Sequence, residues 1–162
     1  MAIQLDVPST VTAGSLNATK LTTTGNSSSL SSLFTNASEV TNVSAIAANG
    51  TINFDFATQS VLYYTTNAAS NWTVNFRNSS GTQVNTALAV GQSVTAVFAV
   101  SQGATAYFAN AHQIDGVAVT PKWQGGTAPT AGNINGIDVY TYTIVKTAAS
   151  TYTLLASQTQ FA

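Results

Sequence analysis

Charge is what this sequence has least of. Four Lys and Arg residues and five Asp and Glu residues make up 6% of a 162-residue chain, with a net charge of -1. Ordinary soluble domains carry about a quarter. Solvent-facing positions must therefore be mostly Ser, Thr, Asn, Gln and Gly, a surface that can pack against copies of itself without stranding buried charge. Fibres, shells and adhesins share such a composition. Four basic residues are too few for binding by phosphate neutralisation, so no nucleic-acid partner is expected.

Cysteine is absent, which excludes disulfides, zinc-thiolate sites and thiol catalysis. No run approaches the roughly 18 apolar residues of a membrane helix, so no membrane insertion is expected. The opening "MAIQLDVPST" carries Asp6 and neither a basic nor an apolar leader region. It predicts no signal peptide and synthesis in a cytoplasm. Seven N-x-S/T triplets, at Asn17, Asn26, Asn36, Asn42, Asn49, Asn71 and Asn78, then read as a by-product of an Asn/Ser/Thr-rich composition.

Aromatic residues are missing from the first 50 positions, apart from Phe34. That stretch, including "TAGSLNATKLTTTGNSSSLSSLFTNASEV", has too little apolar area to offset its own ordering entropy. Residues 1–50 are expected to be an N-terminal arm for anchoring or oligomerisation, laid on a partner or intertwined with sister chains. Its isolated apolar residues, Leu5, Val7, Leu30, Leu33 and Phe34 above all, would be the anchors. The one helix-permissive piece predicts a short helix around 33–40.

From residue 51 the apolar spacing becomes two. "TINFDFA" places Ile52, Phe54 and Phe56 on one face; "NWTVNF" does so with Trp72, Val74 and Phe76. "SVTAVFAV" is apolar on both faces, "IDVYTYTIV" alternates Tyr140, Tyr142 and Ile144, and "STYTLLA" supplies Tyr152 and Leu154. Turn chemistry separates them: "NSSG", "VGQ", "SQGA", "QGG", and Asp115-Gly116 as the sharpest hairpin signal. About eight regularly spaced strands without βαβ alternation predict an all-β fold over 51–162, an antiparallel β-sandwich of jelly-roll-like type.

Catalytic groupings are hard to assemble. His112 is the only histidine; it lies near Asp115, but no G-x-S-x-G elbow accompanies it. It reads as a surface or interface residue. Asp6, Glu39, Asp55, Asp115 and Asp138 are scattered, with no local context for a glycosidase pair, so no enzyme is expected. Asp115 and Asp138 with backbone carbonyls leave a weak cation site open. No phosphate loop or EF-hand loop occurs, and no cofactor is expected.

The aromatics carry the better signal. Trp123 sits in "TPKWQGGTAP"; with Tyr107, Phe108, Tyr63 and Tyr64 it could stack on sugars, plug a core or lock one chain against another. Core or subunit interface is favoured, because aromatics dominate both. Lys122 could pair with Asp115 or Asp138 to fix the corner. Trp123, Tyr107, Phe108, His112 and Lys122 are thus the interface or ligand-contact candidates.

"QSVLYYTTNAASNWTVNFR", "IDGVAVTPKWQGGTAPTAGN" and "GIDVYTYTIVKTAASTYTLLASQTQFA" together resemble a C-terminal β domain that recurs in structural proteins of tailed phages, notably those infecting marine bacteria. The resemblance runs from about Thr51 to Ala162. It implies a non-enzymatic virion component, a capsid decoration or short fibre or appendage protein, made in the host cytoplasm. Expected partners are sister chains in a homotrimer and phage capsid or tail proteins. The short arm favours a protein fixed on the particle over a long fibre. The rival reading is a receptor- or carbohydrate-binding tip of a tail fibre touching a host surface glycan. A depolymerase would need clustered acids.

Overall fold

A computed structural model describes residues 38–162. The arm anchors Leu5, Val7, Leu30, Leu33 and Phe34 lie outside them, as does most of the helix expected at 33–40; residues 38–40 have no regular structure. Ten strands follow: β1 Thr41–Ala47, β2 Gly50–Asp55, β3 Val61–Thr66, β4 Trp72–Arg77, β5 Ser93–Ser101, β6 Ala109–Ile114, β7 Val117–Ala118, β8 Lys122–Trp123, β9 Ile137–Ala148 and β10 Thr151–Phe161. One helical turn, α1 Val84–Ala87, and a 3-10 turn at Gln124–Gly126 complete the set. The all-β sandwich that the period-two spacing predicts is present. It begins at Thr41, inside the stretch expected to be arm.

The two sheets are six-stranded, in the order β1-β3-β5-β9-β10-β8, and four-stranded, in the order β2-β4-β6-β7. Their pairing is mixed where the sequence suggested antiparallel. From β1 to β6 the chain changes sheet at every strand, so alternate strands become neighbours and run parallel: β1 with β3, β3 with β5, β2 with β4, β4 with β6. A parallel pair needs a crossover of about a dozen residues; here the strand in the opposite sheet provides it. Antiparallel ladders join β5 to β9 and β9 to β10, and a tight hairpin joins β6 to β7. At that hairpin Asp115 (φ 53°) and Gly116 (φ 81°) both take the left-handed conformation, as a two-residue primed turn requires.

The core lies between the sheets. Phe54, Trp72, Val74 and Phe76 meet Phe98, Val100, Tyr140, Tyr142, Ile144 and Leu154, all buried. Trp72 sits edge-on to Phe98 (5.7 Å, 62°) and Tyr140 (6.0 Å, 89°), and Phe76 to Tyr142 (5.0 Å, 64°). These tilted pairs place ring edges on ring faces, the arrangement the aromatic quadrupole favours.

Candidate functional site

The unit "TPKWQGG" adds a sixth strand to the larger sheet. Lys122 lies beside Leu155 and Trp123 beside Ala156, parallel to β10. From there the half-buried Trp123 closes the side of the sandwich, packing on His112 (5.6 Å), Tyr142 (6.4 Å) and Tyr140 (6.5 Å) at steep angles. Of the three roles open to Trp123, the contacts within the chain are those of a plug. Tyr63 and Tyr64 lie on β3, separated from β8 by β5, β9 and β10; Tyr64 is buried. No shared stacking platform joins them to Trp123. Tyr107 and Phe108 are half-buried at the β5–β6 connection, where Gln102 holds Tyr107 by both its N–H (3.0 Å) and its C=O (2.7 Å).

His112 is a core residue, where the sequence suggested a surface or interface one. It is 6% exposed, and its Nε2 lies 3.1 Å from the Tyr142 hydroxyl. Burial pulls its pKa down from 6.5 to about 4. The unfolded chain takes up this proton first, so His112 costs no stability above about pH 6.5 and its penalty is complete below pH 4, at about 3 kcal/mol. Asp138 works in the opposite sense: burial raises its pKa, against hydrogen bonds from the Asn133 N–H and the Gln102 amide. The folded state thus gains from protonating Asp138 as pH falls. Urea titrations between pH 7 and pH 4 should show the wild type losing about 3 kcal/mol more than His112→Gln. Equal losses would refute the assignment.

The acidic residues do not converge. Asp55 pairs with Arg77. Asp138, 0% exposed, accepts from Gln102 Nε2 (2.8 Å) and Asn133 N (3.0 Å) through Oδ2. Asp115 accepts from Val84 N (2.8 Å) and Asn85 N (3.1 Å). Lys122 is exposed and has no acidic partner among the described residues, so the pairing expected for it with Asp115 or Asp138 is absent. No group of three or more His, Asp or Glu side chains gathers among the described residues. The cation site left open between Asp115 and Asp138 is not assembled among the described residues: Asp115 binds Val84 and Asn85 N–H groups, whereas Asp138 binds Gln102 and Asn133.

Helix α1 went unread in the sequence because four residues carry no period. Charged residues distant in sequence hold it: Asp115 of the β6–β7 turn binds its first N–H groups, and the buried Lys146 of β9 donates to Asn85 O (2.6 Å) and Leu88 O (2.8 Å). Each charge has the sign that the helix dipole favours at its end. Beside α1 a groove of about 290 Å³ opens between the β6–β7 hairpin and the β9–β10 turn, lined by Gln83, Asn85, Asp115, Val117 and Tyr152 among others. An adjoining hollow of about 300 Å³ shares Gln83 and Asp115 and runs past Gly116 to Ser80 and Arg77.

Comparison with family models, curated proteins and solved structures gives no match to this chain.

Proposed function

We propose that this chain is a non-enzymatic structural protein of a phage virion, a decoration or short appendage protein that assembles as a homotrimer and attaches through its N-terminal segment. The observation that carries this reading is strand β1. It is the outer strand of the six-stranded sheet, pairing only with β3 among the described residues. Its sequence "TNVSAIA" has no charge and no proline, and Val40, Val43 and Ile46 are 61–66% exposed. Soluble monomers blunt such an edge with charge, proline or brevity. The opposite edge does so, with two residues of β8 that follow Pro121 and include Lys122. An unblunted edge, preceded in the sequence by a segment too polar to fold alone, suits assembly by strand addition. The phage resemblance and the 6% charge support the same reading.

Removal of residues 1–37 tests it, because it leaves β1 whole. The truncated protein should unfold cooperatively with a β-type circular dichroism spectrum, yet fail to co-sediment with particles. Normal decoration by the truncated protein would refute anchoring. Light scattering should give the full chain a mass of about three times its 16.7 kDa; a monomer would refute the trimer.

A further inference from the structure

The groove beside α1 has the size and chemistry of a small-ligand site. Its 290 Å³ and the adjoining 300 Å³ reach the range of about 300–1,000 Å³ typical of such sites. Its polar groups are held in place and retain spare capacity. Asp115 is fixed by two backbone N–H donors, and its two oxygens have roughly four acceptor positions in all, leaving acceptor sites open. The side-chain oxygen of Asn85 accepts from Ser150 N (2.9 Å), and its amide nitrogen has no hydrogen-bond acceptor among the described residues. The Tyr152 hydroxyl is buried with no hydrogen-bond partner among the described residues. Gln83, exposed at the rim where both hollows meet, makes no side-chain hydrogen bond among the described residues. Against these polar groups stands an aliphatic wall of Ile114, Val117 and Val119, with Val117 71% exposed.

We infer that this groove binds a neutral saccharide, its hydroxyls on Asp115, Asn85 and Gln83 and its C–H face on Val117. A vicinal diol needs one acceptor and one donor held side by side, which Asp115 and Asn85 supply. Anionic ligands are disfavoured: Asp115 is the one charged residue lining the groove, and Arg77 in the adjoining hollow is paired with Asp55, so Asp115 would repel them. An added peptide strand is disfavoured too, because β7 offers an edge of only two residues. Trp123, for which the sequence left sugar stacking open beside the favoured core or interface role, does not line this site. It stands independently of the assembly reading, since no residue of β1 lines it.

The test is an NMR titration of the ¹⁵N-labelled full chain with glucose, galactose, mannose and N-acetylglucosamine, carried into the millimolar range. At least one sugar should produce saturable shifts confined to Gln83, Asn85, Asp115, Val117 and Tyr152. Val117→Glu and Gln83→Ala change exposed positions, so the fold should persist while affinity falls about tenfold or more. Four results would each overturn the inference: no saturable shift with any of the four sugars, shifts centred on Trp123, glucuronic acid binding as tightly as glucose, or unchanged affinity in both variants. So would shifts at these residues from a synthetic peptide of residues 1–37 with none from the sugars.

Discussion

Trp72→Ala is expected to lower the unfolding free energy by about 3–5 kcal/mol, the range for removing a fully buried large aromatic side chain. Trp72 is 1% exposed, starts β4, and touches Phe98 and Tyr140 of the opposite sheet. Its removal empties the contact between the two sheets, and the parallel strands on either side leave little room to collapse. The net stability of a domain is about 5–15 kcal/mol, so the loss is a large fraction of it. Trp72→Phe separates volume from polarity. The indole nitrogen has no hydrogen-bond partner among the described residues, so phenylalanine forfeits packing only and should cost about 1–3 kcal/mol. Urea unfolding of the three proteins checks the order; a Phe variant as unstable as the Ala variant would mean that the nitrogen is bonded after all.

Gly132→Ala should cost about 2–4 kcal/mol, through overpacking together with a disturbed buried hydrogen bond. A β-carbon there would lie 2.5 Å from Asp138 Oδ2 and 2.8 Å from Gln102 Nε2, and would press on the carbonyl oxygen of Tyr107. Two of these groups are buried and bonded to each other, and the third is backbone. Relief therefore requires the 127–136 loop to lift, which stretches the bond from Asn133 N to Asp138. Gly81→Ala is the control: a β-carbon there meets nothing within 4 Å and the backbone is not left-handed. It should change stability by less than about 0.5 kcal/mol. Equal effects at the two positions in urea unfolding would show that the loop is free to move.

Asp138 and Lys146 illustrate what the sequence withheld. Both stand in β9 among alternating apolar residues, where a charge reads as solvent-facing, and both are buried. Their partners, Gln102 and Asn133 for one and the carbonyls of Asn85 and Leu88 for the other, come from loops and α1. Neither the loops nor the one-turn helix has a repeating pattern to announce them. Asp115 was legible as a turn residue from its Asp-Gly pair, whereas its binding of α1 was not, because it joins positions 30 and 31 residues apart.

The sequence alone determined the strands that bury Phe54, Trp72, Val74, Phe76, Phe98, Tyr140, Tyr142 and Ile144, because a period of two puts alternate side chains on one face whatever the neighbouring strand is. It determined the Asp115-Gly116 hairpin, because that backbone conformation suits few other residue pairs. The tertiary structure decided which strands became neighbours. A short polar connection can return the chain beside its own strand or carry it across to the opposite sheet, and the residues of "AN" between β1 and β2 or "NAASN" between β3 and β4 do not distinguish the two. The choice falls to the packing of the two faces, where the rings of one sheet must fit edge-on between the rings of the other. That packing makes the β1–β6 ladders parallel, turns His112 inward beneath Trp123, and leaves the uncharged β1 at the edge.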